Sequence, residues 1–265
     1  MDTVAAFTLV FVAGLITALA TGLGAIPFFL FTEVSDRWNV VLWGVASGIM
    51  VAASILGLLP EGLNTGSPLE VGIGVLVGVA LVVAGHRLVD SVEFTPKAYE
   101  KADFSKLLLI LGVLTVHSFP EGVAIGVSFA DLNLASGIPI FGLTVPVLAV
   151  VMTIAISIHN IPEGVAISIP LRSMGVSEPR MVWWSVFSSL PQPIGAVIAF
   201  AFVRYARELL PIGFGFAAGA MLYLVFTEFV PEALEVGEDL PSQGHRQLVS
   251  GFLAGVLVMV PLVWF

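Results

Sequence analysis

Two stretches of the sequence carry an imidazole and a carboxylate at the same spacing. Residues 117–126 read HSFPEGVAIG and residues 159–168 read HNIPEGVAIS. His117 and Glu121 are four residues apart, as are His159 and Glu163, so on a helix each pair shares a face, about one turn apart. Pro120 and Pro162 lie between them. Proline has no N–H to give, so it frees the carbonyls of Val116 and Ile158 and bends the helix. Gly122 and Gly164, followed by Ala124 and Ala166, leave small surfaces on which a neighbouring helix can come close. One His-x-x-x-Glu alone is a weak signal, because a buried histidine is commonly satisfied by a backbone carbonyl. Two copies on consecutive helices bring four N/O ligands together. With no cysteine in the chain, that set suits Zn2+, Fe2+, Mn2+, Co2+, Ni2+ or Cd2+ rather than Cu(I). Asn160 adds a neutral oxygen beside the second pair, and Ser118 takes the matching place in the first.

The elements that must hold these residues are membrane helices. Of 265 residues, 58% are hydrophobic and 11% charged, with a mean hydropathy of +1.04; an ordinary soluble domain is about 25% charged. The sequence therefore predicts an all-α integral membrane protein in a lipid bilayer. Eight apolar runs are long enough to cross, near residues 4–31, 39–63, 69–88, 106–130, 138–170, 181–203, 210–233 and 247–265. They form a single transmembrane domain. Its longest polar connector, His86 to Lys106, is 21 residues, which leaves no room for a nucleotide-binding domain, and there is no GxxxxGK[ST] loop. Nothing points to nucleic acid. The first run has neither a basic n-region nor an A-x-A cleavage site and reads as a mature helix. The net charge of −9 sits mainly in loops, where it serves as a solvated surface, gathers cations near the mouths or suits a salty medium.

Lys and Arg in the connectors set the orientation. Arg37, Arg87, Lys97, Lys101, Lys106, Arg172, Arg180 and Arg246 fall on one side, against Arg204 and Arg207 on the other. Both termini are expected outside the cytoplasm, the 89–105 loop inside it, and the chain in the plasma membrane. All ten basic residues lie in connectors or at helix ends, which leaves none inside the membrane to neutralise Glu61, Glu121, Glu163, Glu228 and Glu232. An unpaired intramembrane charge costs at least about 2.5–3.5 kcal/mol, so these acids need protons, water or a cation. A cation pathway is the default reading. Two further Pro-Glu steps, Pro60-Glu61 and Pro231-Glu232, end the second and seventh runs. Those runs cross in opposite directions, which points to an inverted repeat of runs 1–3 and 6–8 around runs 4 and 5. Glu228 lies deeper than Glu232 and is taken as the pathway residue; Glu61 and Glu232 are read as end residues meeting water.

The paired HSFPEG and HNIPEG, with LATGLGAIPF (Leu19 to Phe28) and EFVPEA (Glu228 to Ala233), resemble the ZIP family of divalent metal transporters, prokaryotic type. The resemblance implies a 3+2+3 arrangement in which helices 1, 4, 5 and 6 move against helices 2, 3, 7 and 8. It implies that His159, Asn160 and Glu163 are metal ligands, that His117 and Glu121 belong to the pathway, and that Met50 approaches the ion. In SSLPQPIG, Gln192 stands where relatives with a two-metal centre carry a bridging glutamate, and Ser188 and Ser189 replace an amide and an acid. A neutral amide cannot balance a second dication. One ion is therefore expected, on His159, Glu163 and Gln192, with Asn160 or His117 contributing. The 89–105 loop offers only the adjoining His86 where relatives are histidine-rich.

The implied function is entry of a divalent transition metal, Zn2+ first, into the cytoplasm by alternating access. The ion is cargo, no resident cofactor is expected, and a homodimer is possible through small-residue faces such as Gly72, Gly74 and Gly78. Two other readings of the residues stay open. An intramembrane zinc hydrolase would use the same ligands, although HExxH is absent. A cation or proton channel would be lined by the same glutamates.

Overall fold

The computed structural model describes residues 3–30, 34–90, 117–134 and 136–263. Most of the expected 89–105 loop, the start of the 106–130 run and the last residues of the 247–265 run lie outside the described residues. The helices are α1 (Thr3–Leu23), α2 (Asp36–Ala52), α3 (Leu59–Thr65), α4 (Pro68–Asp90), α5 (117–128), α6 (Val147–Ser173), α7 (Glu178–Ser188), α8 (Pro191–Tyr205), α9 (Leu210–Leu224), α10 (Val230–Val236) and α11 (His245–Val263). Among the described residues, six helical spans are long and apolar enough to cross a membrane: Thr3–Phe29, Asp36–Thr65, Pro68–Leu88, Val147–Arg172, Glu178–Tyr205 and Arg207–Val236. Helices are the natural form here, because in hydrocarbon every backbone N–H and C=O must be satisfied within the segment.

Prolines set where these spans bend or break. α2 runs into α3 through a wide turn at Ala53–Leu58, and α9 into α10 through one at Val225–Phe229. Each wide turn is followed closely by a proline, Pro60 or Pro231. A proline cannot donate to the carbonyl four residues before it, and the loosened turn takes up the mismatch. The run at 181–203 is two helices, since the chain steps out of helix at Ser189 and Leu190 and Pro191 opens α8. The stretch expected to be helical from residue 138 begins otherwise. Ile138–Ile140 (β1) and Leu143–Val145 (β2) form an antiparallel hairpin, with Ile138 opposite Val145. Its turn uses positive φ at Phe141 and Gly142, the pattern of a tight hairpin turn, and α6 starts after Pro146.

Two close crossings organise the bundle. Gly44 and Gly48 of α2 lie on the backbone of α11, where Gly251 and Gly255 return the contact. Gly74 and Gly78 of α4 meet α9 in the same way through Gly215 and Gly219. In each case an added methyl would overlap partner backbone, and close van der Waals approach is the main source of helix association in lipid. α1 packs on α6, α7 and α8, and α6 also packs on α2. The central core holds Ile49, Met50, Met152, Phe200, Met221 and Phe229, all fully or nearly fully buried.

Candidate metal centre

Glycine decides which helices meet at the repeated segments. Gly122 faces the backbone of Gln192 on α8, and Gly126 faces Ala196 one turn further. Gly164 faces the carbonyl of Thr21 on α1, while Gly24 faces that of Ile161. The first copy is thus seated on α8 and the second on α1, and the two carboxylates turn toward each other. Glu121 of α5 and His159 and Glu163 of α6 each place one ligand atom within 4.8 Å of the others. All three side chains are buried. His159 Nε2 lies 3.2 Å from Glu121 Oε1.

A hydrogen-bonded amide fixes one side of this cluster. Gln192 donates from Nε2 to Glu121 Oε2 at 2.5 Å. Its Oε1 accepts from Thr17 Oγ1 at 2.7 Å and from Asn160 Nδ2 at 3.1 Å. Asn160 Nδ2 also donates to the Thr17 carbonyl at 2.8 Å. The other side is bare. Both oxygens of Glu163, Nδ1 of His159 and Oδ1 of Asn160 are buried with no hydrogen-bond partner among the described residues. Such atoms are rare in folded proteins, and their lone pairs are open to water, a proton or an ion. Among the described residues, the ion pairs of arginine join Arg172 to Glu178 and Arg207 to Asp131, away from the cluster.

The remaining residues singled out in the sequence are dispersed. His117 does not join Glu121, although both are on α5. Its Nε2 lies 3.2 Å from His86 Nε2 of α4, and His86 Nδ1 lies 3.3 Å from Glu228 Oε1. His86, His117 and Glu228 form a second cluster of three ligand atoms within 4.8 Å. Met50 packs in the central apolar core. Ser188 donates its hydroxyl to the Ser185 carbonyl, and Ser189 is bonded to Thr21 at 2.8 Å. Sequence reasoning missed Thr17 and the placement of His86. The signal for Thr17 was a pair of threonines, Thr17 and Thr21, one turn apart in an apolar run; His86 was read as part of the connector, although it ends a run.

Helices of membrane length around buried acids define a multi-pass membrane protein. The family model described as ZIP Zinc transporter matches residues 96–262. The chain belongs to that family. It is 32% identical to the zinc transporter GufA of Myxococcus xanthus over 95% of this chain and 96% of that protein. It is 31% identical to the zinc transporter ZupT of Corynebacterium aurimucosum over 96% and 94% of the two chains. A longer Arabidopsis thaliana protein with a zinc-transporter name is 39% identical over 92% of this chain, which spans 36% of it. Membership makes this protein a metal-ion transporter and not an enzyme, which removes the hydrolase reading. The metal is its cargo.

Proposed function

We propose that the protein carries Zn2+ into the cytoplasm through an intramembrane site on α5 and α6, by alternating access. One observation carries this reading: the two oxygens of Glu163 are buried beside His159 and Glu121 with no hydrogen-bond partner among the described residues. A dication supplies the missing charge balance, and imidazole with carboxylates is a ligand set for zinc. Glu121, His159 and Glu163 hold the ion, and Asn160 Oδ1 faces no other partner. Gln192 stays outside the ligand set in this conformation, since its oxygen is taken by Thr17 and Asn160. Its N–H holds Glu121 where a bridging glutamate would require a second ion, so this cluster binds one.

The eight runs form a 3+2+3 bundle in the plasma membrane, with both termini outside. The matched crossings of α2 on α11 and α4 on α9, together with the matched wide turns before Pro60 and Pro231, support the inverted repeat. Such repeats rock against each other about a central site. Zinc uptake into proteoliposomes tests the function. A saturable signal that Glu163→Ala abolishes, with the variant still membrane-inserted, is the expected result. Uptake that never saturates would replace the transporter with a channel.

A further inference from the structure

The repeated motif supplies the whole of one cluster of ligands, and only His117 of the second. His86 lies on α4, a helix packed on α9 and outside the pair that carries HSFPEG and HNIPEG. We propose that His86 and His117 form a second, separate cation site, with Glu228 orienting His86, and that α5 joins it to the first.

The geometry is that of a two-imidazole site. The Nε2 atoms of His86 and His117 face each other at 3.2 Å. Two ligands on a tetrahedral zinc with bonds near 2.05 Å are separated by about 3.3 Å, so the two ring nitrogens already stand at the spacing of a pair of zinc ligands. Nδ1 of His86 faces Glu228 Oε1 at 3.3 Å. A metal-bound histidine characteristically gives its other N–H to a carboxylate, which fixes the tautomer and raises its basicity. Glu228 is already in that position. The rings are tilted at 59° with centroids 5.4 Å apart, which keeps them from stacking face to face and leaves the nitrogens converging. Phe229 flanks the His117 ring at 6.1 Å.

Burial grades across the site. His117 is 1% exposed, whereas the side chains of His86 and Glu228 are 18% and 34% exposed. Two imidazoles with the remaining positions left to water bind an ion less tightly than the carboxylate-rich first cluster. His117 and Glu121 lie one turn apart on α5, so an ion leaving Glu121 meets His117 next, on its way to solvent at Glu228. This role as a release station rests on the transport reading. The binding site itself does not.

Zinc binding to the purified full-length protein, followed by equilibrium dialysis against a competing chelator, tests it. Wild type is expected to bind two ions per chain, His86→Ala one, Glu163→Ala one, and the double variant none. Glu228→Gln should keep the second ion with affinity lowered about 10- to 100-fold. X-ray absorption on Glu163→Ala loaded with one zinc should show two imidazole ligands, a readout that needs no change at His86. One ion in wild type, two in His86→Ala, or no histidine in that absorption spectrum would each overturn the proposal. Failure of the transport reading would look different: both ions bound and no zinc uptake into proteoliposomes.

Discussion

Glu163 has the most exposed consequence among single side chains, because neither of its buried oxygens has a hydrogen-bond partner among the described residues. Replacing it with alanine removes a ligand and a buried carboxylate together. Zinc uptake is expected to disappear while the purified protein melts at or above the wild-type temperature, a combination that thermal unfolding and uptake on one preparation would check. Gln192→Glu makes the opposite change. A carboxylate there can bridge, so the number of zinc ions bound per chain should rise by one; an unchanged count would refute the one-ion cluster. Thr17→Val keeps the shape and deletes the hydroxyl that bonds Gln192 Oε1. Losing one buried hydrogen bond is worth about 1 kcal/mol, or about fivefold in zinc affinity at the first cluster, measurable by competition. The repeated His and Glu were legible from residue type and spacing alone. His86 and Thr17 were not, since neither belongs to a repeated motif and the partner of each is far along the chain.

At the scale of elements, glycine contacts separate what must be small from what happens to be. Gly164 sits against the Thr21 carbonyl, and an added methyl has no room there, whereas at Gly72 no described residue comes within 4 Å of such a methyl. Gly164→Ala should push α6 off α1, costing about 1–3 kcal/mol as an overpacked site and greatly reducing zinc uptake. Gly72→Ala should leave uptake unchanged and raise stability by up to about 1 kcal/mol through helix propensity. Thermal unfolding of both variants in detergent compares them directly. The sequence marked these glycines as small surfaces without saying which helix each one touches. It also extended a helix across 138–146, where Pro139, Gly142 and Pro146 instead allow a hairpin; apolar content alone does not distinguish a strand from a helix.

For the whole molecule, proton competition gives a directional test. Histidine must be neutral and glutamate ionised to bind the ion, so protons and zinc compete for the same atoms. Uptake should fall as pH is lowered through the site's apparent titration, measured with membrane potential clamped, and a flat profile would refute this. Composition, hydropathy and the duplicated motif were enough to determine a membrane protein of apolar helices that carries a repeated His/Glu pair, because those properties follow from local residue type and period. Only the tertiary structure decided how the pair is used. Glu121 goes to the second copy's site while His117, one turn away, faces α4 and Glu228. That division depends on which neighbour each glycine admits to backbone contact, and contacts between distant segments have no signature in local spacing.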